Sequence, residues 1–341
     1  RTTAGWKPAV LGGSTREALV FSGGGKDSLA AITLLRRASI PFATFSYTHA
    51  DYGAADPQRA LVDSMLDAAG VERRHWMRAE DSLSSREGLI CAETPISLFY
   101  ALPLMLRHGY SDLVLGNEAS ADAPNLVWNG EAVNHQWGKS SEAERLLNDY
   151  LRDELVPDGS WFSILKPLHD AVIVSLLRDE PAVAATHSCN VAKPWCGSCA
   201  KCTYVWLQMA AFLPHPPPFA IDNKWLAPLL GLEGHKPFEC VGESGEAQLA
   251  FELARKRFPL PDLGPFAIDD RYLRVGNAEN IPAHIRERVL PIMEEAAREL
   301  TASWRSSAST PGTQSSSYRA GSRADTASAS PSPSAPVRNA G

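Results

Sequence analysis

No stretch of this sequence is long and apolar enough to read as a membrane span. The most apolar window, 95–106, falls well short of the ~20 residues that cross a bilayer and contains Pro103. Basic charge is also scarce: 33 Lys and Arg stand against 39 Asp and Glu, for a net charge of −6. The segment from Arg305 onward carries four Arg and one Asp, which leaves −9 on residues 1–304. Proteins that grip a phosphate backbone display a basic face, so nucleic acid is disfavoured as a partner. Six cysteines are too few for a disulfide scaffold in 341 residues, and four of them fall within 189–202, which points to a metal in a reducing compartment. Residues 1–17 hold no basic region followed by an apolar run and a small-residue cleavage site, so no secretory signal is expected and the location expected is cytoplasmic. Two common phosphate-binding spacings are missing as well, the Walker Gly-x-x-x-x-Gly-Lys-Ser/Thr and the Rossmann Gly-x-Gly-x-x-Gly.

What is present is organised around 18–37. Ala-Leu-Val-Phe reads as a buried strand, Ser22-Gly23-Gly24-Gly25-Lys26-Asp27-Ser28 as a glycine turn, and the apolar run after it as a helix. Three successive glycines admit backbone angles closed to other residues and let a ligand touch bare amides at a helix N-terminus, a combination that attracts phosphate.

With 44% hydrophobic residues the chain can build a substantial core. A second strand is expected at 41–47, ending in polar residues that include His49 and Asp51, then a helix at 57–69 and a third strand at 73–77. A helix around 95–107 and a buried strand at 112–116 follow. That strand runs from Gly116 into Asn117, Glu118 and Asp122, polar residues at the end where open parallel sheets bind ligands. Strand and helix in alternation argue for an α/β fold with a doubly wound parallel sheet. The mixed run 126–140 brings His135 and Lys139 into play before a helical stretch at 142–155. A strand and helix are expected within 162–177, with Lys166 and His169 near their junction.

Cys189, Cys196, Cys199 and Cys202 are spaced Cys-x6-Cys-x2-Cys-x2-Cys. Two-residue gaps turn successive thiolates back on one centre, the pattern of a closed tetrahedral Zn²⁺ site with a structural role; an iron–sulfur cluster is the competing occupant. Cys91 and Cys240 stand apart and read as ordinary buried residues. Helices are expected at 203–212, 246–257 and 283–303. The run of prolines at 216–218 suggests a border between a domain at 18–213 and a smaller C-terminal subdomain at 219–304. Residues 1–17 read as an irregular lead-in. Residues 305–341, almost without apolar bulk, read as a disordered tail.

The glycine turn resembles the PP-loop of ATP pyrophosphatases, Ser-Gly-Gly-x-Asp-Ser. Here Ser22 lies one position early, and Gly23 stands at the family serine. Two families share a PP-loop followed by a four-cysteine site. The 7-cyano-7-deazaguanine synthases are shorter and lack a segment like 219–300. The longer pattern, with Leu-Gly-Asn-Glu-x-Ser-Ala-Asp at 115–122, Val-Asn-His-Gln at 133–136 and Lys-Pro-Phe-Glu-Cys-Val-Gly at 236–242, resembles the UDP-N-acetylmuramoyl-L-alanyl-L-glutamate epimerase family. That resemblance implies an ATP-dependent isomerase that adenylates a glutamate carboxylate and inverts its Cα, with ATP, Mg²⁺ and a structural Zn²⁺, acting on a UDP-linked glutamyl peptide or another small carboxylate. It implies nucleotide binding by Ser22, Gly23, Gly24, Gly25 and Ser28, with His49, Asp51, Gly116, Glu118 and Asp122 nearby. Lys26 would offset phosphate charge and Asp27 would orient Mg²⁺. Inversion needs two acid–base groups or one mobile one, and the pairs His135 with Lys139 and Glu239 with Cys240 are the candidates. The alternatives are another adenylating PP-loop ligase and a zinc module that binds nucleotide without cleaving it.

Overall fold

The computed structural model describes residues 7–11, 16–49, 54–79, 93–124, 126–189, 191–233 and 241–308. Asp51, Cys91, Glu239, Cys240 and the tail from 309 lie outside the described residues.

Five parallel strands form the central sheet in the order β3-β2-β1-β4-β7: β1 (Ala18–Phe21), β2 (Phe42–His49), β3 (Arg74–Ala79), β4 (Asp112–Leu115) and β7 (Ser160–Ser163). Side chains alternate across the sheet, so one strand feeds two cores. Ala18 and Val20 join one apolar cluster, while Leu19 joins another with Phe45, Leu113 and Trp161. Both faces are covered, as a parallel sheet requires. The first face carries α1 (Lys26–Arg37), α2 (Ala55–Ala68) and α5 (Asp170–Leu176), and the second carries α3 (Glu93–His108). The winding reverses between β1 and β4, and the crevice of such a switch point lies outside their carboxyl ends.

Between β4 and β7 the chain makes a small hairpin, β5 (Leu126–Trp128) with β6 (Glu131–Val133), closed by Asn129 at φ +50° and Gly130 at φ +83°. Asn-Gly is the favoured pair for a two-residue turn with both residues left-handed. Helix α4 (Ser141–Tyr150) starts at Ser140, whose hydroxyl accepts from the Ala143 amide at 3.2 Å, and passes into one π-turn at Leu151–Leu155. The helix expected at 142–155 is thus shorter and changes pitch at its end.

Past the cysteine loop, α6 (Ala200–Phe212), α7 (Leu226–Leu229), α8 (Ser244–Ala254) and α9 (Ala283–Ala308) pack over the first face. In α9, Ile285, Val289, Met293, Ala297 and Leu300 form a helical stripe buried in the same core as Val20 and Ile32. Each large member of the stripe contributes about 1.5–3 kcal/mol by burial. The residues after the proline run therefore share their apolar core with the sheet.

Candidate functional site

At the carboxyl ends of β1, β2 and β4 lies a cavity of about 350 Å³. Ser22, Gly23, Asp27 and Ser28 from the glycine turn line it together with Gly116 and Asn117 from the end of β4. Two glycines make close contacts, and at Gly24 the contact excludes any side chain. Gly24 sits at φ +77° with the His187 ring so close that a Cβ would lie 2.3 Å from Nε2. At Gly116 a Cβ would stand 3.2 Å from the Asp27 carbonyl oxygen, so the loop after β4 touches the start of α1. The Ser28 hydroxyl accepts from the Gly23 amide at 3.0 Å and holds the turn in shape. The Ser22 hydroxyl is buried and has no hydrogen-bond partner among the described residues.

Lys26 does not line this cavity. Its ammonium group is buried, 2.5 Å from Asp27 Oδ1 and 2.5 Å from Asp170 Oδ1. Burial alone would drive the proton off, but Asp170, Asp27 and Glu118 outweigh it and push the Lys26 pKa well above the ordinary lysine value. Burial pushes the Asp27 carboxyl up, Lys26 pulls it down, and Asp170 and Glu118 raise it again. Burial also opposes ionisation of Glu118, yet Lys26, Lys201, a backbone hydrogen bond and Lys139 hold it at about 2. One buried lysine thus faces three acidic side chains, of which Asp27 lines the cavity. The cations Lys139 and Lys193 lie on the cavity wall instead.

Behind Asp170 the charge network continues. Glu246, on the first turn of α8, accepts at Oε1 from the Asp170 amide at 3.0 Å and pairs with His169 Nδ1, also at 3.0 Å. Its Oε2 accepts from the Glu243 amide at 2.7 Å and from the Tyr204 hydroxyl at 3.3 Å. Burial raises the Glu246 carboxyl, and His169 partly counters that. For His169, burial works against protonation but the hydrogen bond to Glu246 wins and raises its pKa.

Other residues singled out in the sequence spread around this centre. Asp122 accepts from the Ser141 amide at 2.6 Å and its hydroxyl at 2.7 Å, with Lys166 Nζ at 3.6 Å, which makes it an anchor for the start of α4. It is not among the cavity-lining residues, and neither is His135. Lys166 Nζ also donates to the Lys139 carbonyl at 2.7 Å, fixing the backbone that presents Lys139. His49 closes β2 at the same end of the sheet.

The four cysteine sulfurs all lie within 4.8 Å of one another. Cys189 to Cys199 and Cys196 to Cys202 are each 3.8 Å apart. Sulfurs held about 2.3 Å from a central zinc are separated by about 3.8 Å, so the spacing fits a tetrahedral Zn²⁺ site. Amides of Val191, Ala192, Ser198 and Cys202 donate to the sulfurs at 3.3–3.4 Å, which favours thiolates. Trp195 stacks on Phe219 at 4.3 Å beside the cluster. Gly197, at φ +70°, presses against the Ala220 carbonyl, so the loop is clasped by the chain after the prolines. The cluster fits a metal, and its closed donor set suits a structural one.

Sequence reasoning did not single out Asp170, Glu246, His187, Lys193 or Lys201. Lys26 and Asp170 are 144 positions apart, and no local spacing announces such a pair. Lys193 and Lys201 carried a fainter signal, since both lie inside the cysteine motif.

Comparison with known proteins gives a consistent picture. Residues 2–164 match the MurL N-terminal domain and residues 184–260 the MurL C-terminal domain. Three curated proteins named UDP-N-acetyl-alpha-D-muramoyl-L-alanyl-L-glutamate epimerase are similar. The Micromonospora protein is 34% identical over 259 residues, 68% of this chain and 55% of that protein. The one from Salinispora tropica is 32% identical over 265 residues, 70% of this chain and 55% of that protein. The one from Xanthomonas oryzae pv. oryzae is 30% identical over 264 residues, 70% of this chain and 57% of that protein. The chain spans about half the length of the curated relatives it matches.

Proposed function

The chain belongs to the family defined by the MurL N-terminal and C-terminal domains, and from that premise we propose that it is an ATP-dependent epimerase of a UDP-linked muramoyl peptide ending in L-Ala-L-Glu. The observation that carries this reading is the cavity at the β1/β4 reversal, lined by Ser22, Gly23, Asp27 and Ser28 of the glycine turn. The phosphates of ATP lie against the glycine turn 23–25 and the side chains of Ser22 and Ser28. The Asp27 carboxylate on the cavity wall suits Mg²⁺, which would offset phosphate charge and polarise the α-phosphorus. Lys139 and Lys193 add positive charge on the wall.

The chemistry follows from charge. A glutamate Cα proton is held poorly acidic by the adjacent carboxylate, whose charge opposes a carbanion. One carboxylate oxygen attacks the α-phosphorus of ATP, the bond to the β-phosphate breaks and pyrophosphate leaves. The resulting acyl adenylate carries no carboxylate charge, so a base can remove the Cα proton as an enolate forms, and an acid on the opposite face returns one. Water then attacks the carbonyl carbon and AMP leaves. Of the residue pairs considered for the two protons, Lys139 stands at the cavity, which makes it the first to test. The four-thiolate centre serves the fold, and the reaction is placed in the cytoplasm, where nucleotide-linked peptides and ATP coexist.

Incubation in D₂O tests the proposal. Deuterium should enter the Cα of the terminal glutamate only when ATP and Mg²⁺ are present, and the D isomer should accumulate. Deuterium uptake of equal rate without ATP would reject the adenylation route.

A further inference from the structure

Three helices begin at one buried charge network. Lys26 is the first residue of α1, Asp170 the first of α5, and Glu246 the third of α8. Lys26 falls in the match to the N-terminal family domain, Glu246 in the match to the C-terminal one, and Asp170 in the stretch between them. Helix N-termini leave amides without partners inside the helix and favour negative charge beside them.

At the start of α5, the His169 side chain makes no capping hydrogen bond. Glu246 supplies one from α8, since its Oε1 accepts from the Asp170 amide at 3.0 Å and lies 3.0 Å from His169 Nδ1. Its Oε2 accepts from the Glu243 amide at 2.7 Å, which closes the capping box of α8, and from the Tyr204 hydroxyl at 3.3 Å. A carboxylate offers about four acceptor positions, and these four donors fill them. The Glu246 side chain has no exposed surface, and Gly242 packs so tightly that a Cβ there would stand 1.9 Å from the Tyr204 hydroxyl oxygen and 2.1 Å from Glu246 Oε2. With its acceptors taken and no space beside it, the carboxylate is held in one place.

That hold reaches the glycine turn. Asp170, its amide fixed, presents Oδ1 to Lys26 Nζ at 2.5 Å, and the same ammonium group is 2.5 Å from Asp27 Oδ1. Asp27 lines the cavity, whereas Glu246, Asp170 and Lys26 do not. We propose that Glu246 is a positioning residue for nucleotide binding, which fixes the start of α5 and, through Asp170 and Lys26, sets where Asp27 and the glycine turn stand. This assignment rests on the ATP-dependent reading above and deepens it, because it ties the C-terminal family domain to the glycine turn of the N-terminal one.

Calorimetric binding of ATP with Mg²⁺ to the full chain tests it, for Glu246→Gln, Asp170→Asn and the double variant, at a temperature where circular dichroism shows each to be folded. Glu246→Gln keeps the volume but turns an NH₂ group toward donors, and should weaken ATP about 2- to 30-fold, the range for coupling through residues that touch no ligand. Asp170→Asn should weaken it within the same range. Because both act through one chain of contacts, the double variant should bind ATP within about 2-fold of the weaker-binding single variant, whereas independent losses would multiply. If Glu246→Gln does not fold, Tyr204→Phe, which removes one donor to Oε2 and keeps the ring, takes its place in the same cycle. Parental ATP affinity in the folded variant, or losses that multiply in the cycle, overturns the assignment while the parent's ATP binding stands. A parent chain that binds no ATP removes both readings together.

Discussion

Replacing Asp170 by Asn tests whether the buried charge network holds the glycine turn. Asp170 and Lys26 have side chains 2% and 3% exposed and meet at 2.5 Å, with Asp27 also 2.5 Å from the ammonium. Removing one partner of a buried ion pair costs about 3–5 kcal/mol, because the remaining charge stays out of water. Asn keeps the shape and one acceptor oxygen, and Asp27 still faces Lys26, so the lower end, about 3 kcal/mol, applies. For a chain of this size that loss lowers Tm by about 4–5 °C. Urea unfolding followed by tryptophan fluorescence should show a lower midpoint at constant m-value. ATP affinity should fall too, since Lys26 and Asp27 are adjacent and the turn they share lines the cavity. A loss below about 1 kcal/mol would refute the claim that this pair is buried and unsolvated.

Three further outcomes follow from the structure. Glu144 is buried, with Asn280 Nδ2 donating to Oε1 at 2.9 Å and no partner at Oε2 among the described residues, and burial raises its carboxyl to about 7 despite Asn280, Lys166 and the Ser163 backbone. Its folded pKa lies above the unfolded value of 4.5, so the group penalises the fold increasingly as pH rises from 4.5 to 7; Glu144→Gln should therefore stabilise the chain by about 2–3 kcal/mol at pH 8 and little at pH 4.5. Cys199→Ser should lower bound zinc from one atom per chain and reduce stability by several kcal/mol, as read by metal analysis and thermal unfolding. Gly24→Ala forces a side chain into a left-handed φ, at about 1–2 kcal/mol, and drives its Cβ into the His187 ring; ATP binding should be lost while circular dichroism keeps the native helix signal.

The strand, glycine turn and helix at 18–37 were legible because three local signals coincide: an apolar run, residues that permit unusual φ, and a helix start. The four-cysteine cluster was legible because Cys-x2-Cys spacing by itself brings sulfurs together. The hairpin at 126–133 carried an Asn-Gly signal that was hidden by reading its aromatic and polar residues as one mixed run. Asp170 and Glu246 could not be found this way. Their partners sit at the starts of other helices far away in the chain, and a buried carboxylate looks in sequence like any surface acid. His169 was noticeable at a strand–helix junction, whereas the partner that raises its pKa, Glu246, lies 77 positions away. Lys26 reads as a phosphate ligand from its motif alone, but the fold supplies two carboxylates that hold it beneath the turn.

Oxygen transfer tests the adenylation claim most directly. The terminal glutamate of the UDP-linked peptide is prepared with ¹⁸O in its α-carboxylate and turned over with ATP and Mg²⁺, and the AMP is analysed by mass spectrometry. If the carboxylate attacks the α-phosphorus and water later attacks the carbonyl carbon, each AMP acquires one ¹⁸O from the substrate. AMP free of ¹⁸O alongside inverted glutamate would contradict the account.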